Sequence, residues 1–315
     1  MSYTLNTTNS YHINELDSLG WEMTVCNALY PEDSPCRRAL IANNSFGVLL
    51  YHYLESLFPL NNIRNVLEIG GGLGNLMHDF LGLNPQLKAT MIDISPHLLA
   101  KQKELLQGFA VAFREMDILR ITLNELSPFD LVIMNENLGD LPTLVAADAH
   151  TSPAKDKSSF LRAGYFIDKY QLPVAQNENI NIGAWEILEK LCLAGIKCIY
   201  LSEHSCEAVV PDHLKSYLRF SPTGNPEKIA LRGHDEYTIK FSCLQKIAQK
   251  FDYNVVRGSF ADFLKPDFNN RVRTALRLQT PHTDEQEILQ HFLYDLYKYE
   301  YLVLTKGDKL WKRTI

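Results

Sequence analysis

The stretch VLEIGGGLGN, Val66 to Asn75, decides how the rest of the chain is arranged. A short apolar run enters four glycines, Gly70, Gly71, Gly72 and Gly74, and a helical pattern follows. Such a loop lets the backbone come close to a ligand and presents amide N–H groups at a helix start. The glycines follow E-x-G-x-G-x-G, with Glu68 inside the strand end. A dinucleotide fingerprint would need glycine at Asn75, and no G-K-[ST] follows. An NAD-dependent oxidoreductase therefore fails on spacing, and a P-loop is excluded.

Outward from the loop, seven short apolar runs are strand candidates: NVLEIG, KATMIDI, AVAFREMD, FDLVIMNE, IKCIYLSE, YNVVRGSF and EYLVLTKG. Helical stretches such as PHLLAKQKELLQGF and AWEILEKLCLAG separate most of them. Runs buried on both faces and alternating with helices predict an α/β fold with a mostly parallel sheet and helices on both sides. Residues 1–60 are expected to be a helical N-terminal region and 61–315 the main domain. Insertions at about 142–183 and 206–237 are too long for simple crossovers and are expected to cap a substrate site. DEQEILQHFLYDLYKY is expected to be a helix, and the spacing of its tyrosines suits packing against the sheet.

With 315 residues, 46% of them apolar, the chain can bury a large core without a disulfide or metal staple. Lys and Arg number 31 against 37 Asp and Glu, so the net charge is −6 and no basic run offers a nucleic-acid surface. The six cysteines include no C-x-x-C pair; His204 with Cys206 is the nearest approach to a metal pair, and no metal ligand set is expected. The N-terminus has neither an apolar signal segment nor a basic amphipathic one, and no apolar run reaches the length of a membrane span. A cytoplasmic location without membrane attachment is expected, and a homodimer is left open.

Two further carboxylates fall at strand ends beside the loop. Asp93, 23 residues after Gly70, is placed to accept hydrogen bonds from ribose hydroxyls, with Ile94 next to it. Asp117, followed by Ile118, ends the third strand and could receive an adenine amino group; each Asp could instead cap a helix. Glu68, Asp93 and Asp117 at three successive carboxyl ends mark the edge where open α/β sheets bind ligands.

In these residues the chain resembles the class I S-adenosylmethionine-dependent methyltransferases, over about residues 61–315. The resemblance implies a Rossmann-like seven-stranded methyltransferase sheet ending in an antiparallel hairpin, with S-adenosyl-L-methionine as cofactor. It implies that Gly70, Gly72 and Gly74 cradle the methionine part, with Gly71 in the same loop, that Asp93 binds ribose and that Asp117 meets adenine. SPHLLAKQKELL (Ser95, Leu98, Gln102, Leu105), NENLGDLP (Asn135 to Pro142) and RGHDEYTIKFSCLQ resemble segments of the MidA-like methyltransferases, which include an arginine-methylating complex I assembly factor. That family's Asp in the second segment falls on Gly139, with Asp140 one place later.

Methyl transfer from a sulfonium needs mainly positioning and an acceptor with a free lone pair. Asn135, Glu136 and Asp140, after the fourth strand, are the candidates for holding a cationic acceptor and taking its proton, and Asn135 also for touching the cofactor. Glu203 and His204 are a second candidate acid/base pair on the same edge, although a His at that place is more often structural than catalytic. The leading expectation is a methyltransferase acting on a protein side chain, arginine-like, or on a small molecule. The alternative is a non-catalytic assembly or interaction protein that keeps the cofactor fold.

Overall fold

A computed structural model describes residues 3–14, 24–146, 157–278 and 280–307. The strands, in chain order, are β1 Tyr3–Asn6, β2 Asn65–Ile69, β3 Lys88–Asp93, β4 Val111–Glu115, β5 Leu131–Asn135, β6 Thr143–Ala146, β7 Cys198–His204, β8 Lys228–Ala230, β9 Asp235–Tyr237, β10 Asn254–Ser259 and β11 Tyr299–Thr305. All seven strands expected from the apolar runs join one sheet, in the order β10-β11-β7-β5-β2-β3-β4. Strands β4, β3, β2, β5 and β7 pair in parallel, and β11 runs antiparallel to both its neighbours. This is the Rossmann-like seven-stranded sheet with its closing hairpin.

Strand alternation explains why both faces are covered. Val66, Leu131, Ile133 and Tyr200 pack with helices Phe46–Leu57, Asn75–Leu83 and Asp284–Lys298. Leu67, Ile69, Val132, Met134 and Ile199 face the opposite layer, which includes Trp185 of helix Ile182–Ala194. Chain order reverses between β2 and β5, since β3 and β4 lie on one side of β2 and β5 and β7 on the other. A crevice outside the carboxyl ends of β2 and β5 is the natural ligand position.

Two expectations change. The N-terminal region is not helical throughout: β1 is a strand that pairs antiparallel with β6, Tyr3 opposite Ala146 and Asn6 opposite Thr143. Four residues carry too little periodicity to reveal a strand whose partner lies some 140 positions away. The insertions also differ from one another. In 142–183, helix Lys157–Tyr170 buries Ala163, Phe166 and Tyr170 in the core, and no described residue of that insertion lines the crevice. Residues 147–156, with most of TSPAKDKSS, lie outside the described residues. The second insertion folds into the β8–β9 hairpin, and Ile229, Leu231 and Glu236 face the crevice.

The tyrosine-rich segment spans an element boundary. The helix ends at Lys298 and β11 begins at Tyr299, so Tyr299 and Tyr301 are strand residues. Among the described residues no helix is long and apolar enough to cross a membrane.

Candidate functional site

The crevice is a cavity of about 360 Å³ at the carboxyl edge of the sheet. Of the expected site residues, Glu68, Gly70, Gly71, Gly72, Asp93, Ile94, Asp117, Ile118, Asn135, Glu136 and Asp140 line it, together with Glu203 and His204. Gly74 does not; it takes a left-handed φ of 90° as N-cap of helix Asn75–Leu83 and packs against Gln102. The three glycines of the wall differ in purpose. A Cβ on Gly70 would come within 2.6 Å of Asn137 Nδ2, and one on Gly71 within 2.4 Å of Met91 Cε. At Gly72, φ is 54° and a Cβ would meet no protein atom within 4 Å. Gly72 therefore keeps open space clear.

Glu68 is 2% exposed, and its Oε2 is buried without a hydrogen-bond partner in the protein. Burial first, and the nearby Asp93 carboxylate second, push its pKa up to about 8. Glu68 thus carries a proton at neutral pH rather than the negative charge the sequence implied. The folded protein binds this proton more tightly than the unfolded chain, whose Glu titrates near 4.5. The stability tied to it is full below that pH and is lost as pH rises through about 8. Glu68→Gln should remove the loss: its melting temperature relative to the parent should rise steadily from pH 5 to pH 8.5, by roughly 3 kcal/mol of stability near neutrality. Parallel melting profiles across that range would contradict the assignment.

Asp93, at the end of β3, is held rigidly. Its Oδ1 accepts from the Ser95 amide at 2.9 Å and its Oδ2 from Gln102 Nε2 at 2.8 Å. Burial raises its pKa to about 6, against the lowering effect of these two bonds. Gln102 Nε2 also donates to the Gly72 carbonyl at 3.0 Å, so one amide ties the acid to the glycine loop. This explains the sequence pattern that contains it: Ser95 caps the helix by accepting from Leu98 N, Leu98 lines the cavity, and Gln102 reaches back one helix face later. Asp117 takes the capping role. Its Oδ1 caps the short helical turn at Leu119 N (2.9 Å), while Oδ2 accepts from Asn9 of the N-terminal segment (3.4 Å).

At the end of β5, Asn135 accepts from Ser202 Oγ and donates to Glu136 Oε1 at 3.0 Å. Glu136 sits in the left-handed region with φ of 56°, a strained position for a non-glycine residue. Its carboxylate accepts from the Val25 amide (2.7 Å) and the Cys26 amide (3.0 Å), and burial raises its pKa to about 7. The side chain therefore anchors residues 24–28 against the sheet, and Thr24, Cys26 and Asn27 become part of the cavity wall. The amides it holds lie 111 and 110 residues earlier in the chain. Glu136→Ala should lower unfolding stability by roughly 1–3 kcal/mol because two buried amides lose their acceptor. Urea unfolding measures this, and an unchanged midpoint would remove the anchoring role.

His12 and Glu236, which sequence reasoning did not single out, also line the cavity, and His234 stands beside them. His12 Nε2 lies 2.8 Å from Asp140 Oδ1, and His234 Nε2 lies 2.9 Å from Glu236 Oε1 and 3.8 Å from Asp140 Oδ1. Against the opposing effect of burial, Asp140 lifts the His12 pKa, with help from Glu236 and Asp93. Burial, then Asp140, pushes Glu236 up to about 8. Glu203 is buried, accepts from the Gly139 and His204 amides, and is raised mainly by burial. His204 Nδ1 lies 3.8 Å from Glu203 Oε1, while its ring stacks on Tyr299 at 3.8 Å and its Nε2 bonds Asp295 at 3.3 Å. The usable signals were HDE in RGHDEYT and Tyr299 in the tyrosine-rich segment. His12 carried none.

A protein-family model described as a methyltransferase domain matches residues 67–153, which contain the glycine loop, Asp93, Asp117 and the β5 end. No curated protein matches the chain. Among solved structures, the phosphoethanolamine N-methyltransferase 2 of Haemonchus contortus, in complex with S-adenosyl-L-methionine, is similar at 12% identity; the alignment covers 98% of this chain and 68% of that one, with a TM-score of 0.47. A putative S-adenosylmethionine-dependent methyltransferase from Listeria monocytogenes is similar at 13% identity, over 83% of this chain and 98% of that one, with a TM-score of 0.46.

Proposed function

We propose that this chain is an S-adenosylmethionine-dependent methyltransferase whose acceptor is an amine- or guanidine-bearing protein side chain or small molecule. The observation that carries this reading is the single cavity that joins the glycine loop and Asp93 to a wall of carboxylates. The residues present fit the cofactor. Gly72 leaves a cradle that a side chain would fill, Glu68 Oε2 is a buried acceptor or donor awaiting a partner, and Asp93 keeps lone pairs beyond its two bonds. Gly70–Gly72 and Glu68 would hold the methionine part, Asp93 the ribose, and Asp117 with Ile118 the adenine. When bound, the cofactor supplies a methyl group on an activated sulfonium.

Everything else falls to this chain. Asn135 and Glu136 shape the wall at the β5 end, while Asp140, Glu203 and Glu236 offer carboxylates that could orient a cationic acceptor and take its proton. The MidA-like pattern is part of the same proposal, since Ser95 and Gln102 hold Asp93, Gln102 also holds the loop, and Leu98 lines the cavity. A non-catalytic cofactor-binding protein is the second reading, favoured by the commitment of the Glu136 carboxylate to backbone amides. Calorimetry with S-adenosylhomocysteine, followed by transfer from a methyl-labelled donor into amine and guanidine acceptors and cell extract, tests both. Binding with label transfer supports the enzyme; binding with no transfer supports the second reading; no binding overturns both.

A further inference from the structure

Three side chains from distant parts of the chain converge on the carboxylate side of the cavity. His12 comes from helix Asn9–Asn14, Asp140 from the turn after β5, and His234 from the β8–β9 turn. We propose that His12, Asp140 and His234 form a binding site for a divalent transition-metal ion, with open coordination positions toward the cavity.

The distances suit such an ion. One ligand atom from each residue, the two imidazole nitrogens and a carboxylate oxygen, lie within 4.8 Å of one another. The His12 Nε2 and His234 Nε2 atoms stand 2.8 Å and 3.8 Å from Asp140 Oδ1. Ligands about 2.1 Å from an ion are spaced by about 3 Å in octahedral and about 3.4 Å in tetrahedral geometry, so shifts of roughly 1 Å would bring these atoms onto one ion. The donor set selects the class. Two imidazoles with one carboxylate suit zinc, cobalt or iron, whereas magnesium and calcium prefer all-oxygen surroundings. Three protein ligands are also the number that leaves places for solvent or substrate.

The surroundings hold the ligands in place and favour a cation. The Thr8 hydroxyl donates to the Asp140 carbonyl at 2.8 Å, and Asn6 Nδ2 to the Asp235 carbonyl at 2.8 Å. The N-terminal segment is thus fastened to both other sources of ligands. Among the described residues, the ion-pair partners of Asp140, Glu203 and Glu236 are all histidines, with no Lys or Arg. His12, Asp140 and Glu236 line the cavity itself, so an ion held here would stand at its acceptor side. The proposal does not depend on methyl transfer, because ion binding and nucleotide binding are measured separately.

The test uses the full chain, stripped with a chelator. Titration with Co²⁺ should raise visible ligand-field bands that saturate at one equivalent, and Zn²⁺ should displace the Co²⁺ and raise the melting temperature. His12→Ala, His234→Ala and Asp140→Asn should each weaken Co²⁺ binding by about tenfold or more, while His291→Ala, on an exposed helix position, should not. A cooperative thermal unfolding transition, followed by circular dichroism, reports whether each variant is folded. For a variant that fails to fold, the parent decides: Zn²⁺ stabilisation and a saturable Co²⁺ band support the site. Absence of both at millimolar metal, or undiminished Co²⁺ binding in a folded His12→Ala/His234→Ala double variant, overturns it.

Discussion

Asp93→Ala should reduce S-adenosylhomocysteine binding by about a hundredfold or more. Two losses combine in this variant. The ribose hydroxyls lose a charged acceptor, and each such hydrogen bond contributes about 1.5–3 kcal/mol. The glycine loop also loses its tether, because Gln102 Nε2 divides its donation between Asp93 Oδ2 and the Gly72 carbonyl. Gln102→Ala separates the two effects: it frees the loop while leaving the carboxylate bonded to the Ser95 amide. Calorimetry should place its affinity between the parent and Asp93→Ala. Affinity of Asp93→Ala within about threefold of the parent, less than one ordinary hydrogen bond, would sink the assigned ribose position.

Gly72→Val should also abolish nucleotide binding, by obstruction. The backbone at Gly72 has a φ of 54°, which a β-branched residue adopts only with strain of roughly 1–3 kcal/mol. Its Cβ meets no protein atom within 4 Å, so the new side chain would enter the cavity rather than the core. A folded protein that no longer binds is the expected outcome. Gly71→Ala provides the contrast: its Cβ would strike Met91 Cε at 2.4 Å and approach Glu68 Cδ at 3.0 Å. That variant should lose thermal stability along with affinity. Nucleotide binding retained by Gly72→Val would show that the cavity at the loop is not where the ligand sits.

The parts of this molecule that depend on neighbours in sequence were legible. β2, β3, β5 and β7 are short apolar runs with buried residues on both faces, and the glycines sit directly after the first of them. Asp93 could be placed at the cavity because its position follows from its strand end. What depends on long-range pairing was hidden. β1 is defined by β6, and His12 reaches Asp140 only because that pairing carries it there. Glu136 was visible as a carboxylate at the right edge, but its engagement with the Val25 and Cys26 amides required the fold. The protonation of Glu68 required it too, since burial rather than residue type decides that charge.

The seven-stranded sheet contains no residue from the first fourteen, whereas Thr8, Asn9 and His12 are part of the cavity. The described residues of the first fourteen thus complete the cavity wall without adding to the central sheet. A shortened protein starting at Thr24 would keep every strand of the central sheet and the Glu136 anchor, yet leave Asp117 and Asp140 without their Asn9 and His12 contacts. A segment fused directly ahead of Tyr3 would begin beside the β1–β6 ribbon, at the strand pairing that brings His12 to the cavity.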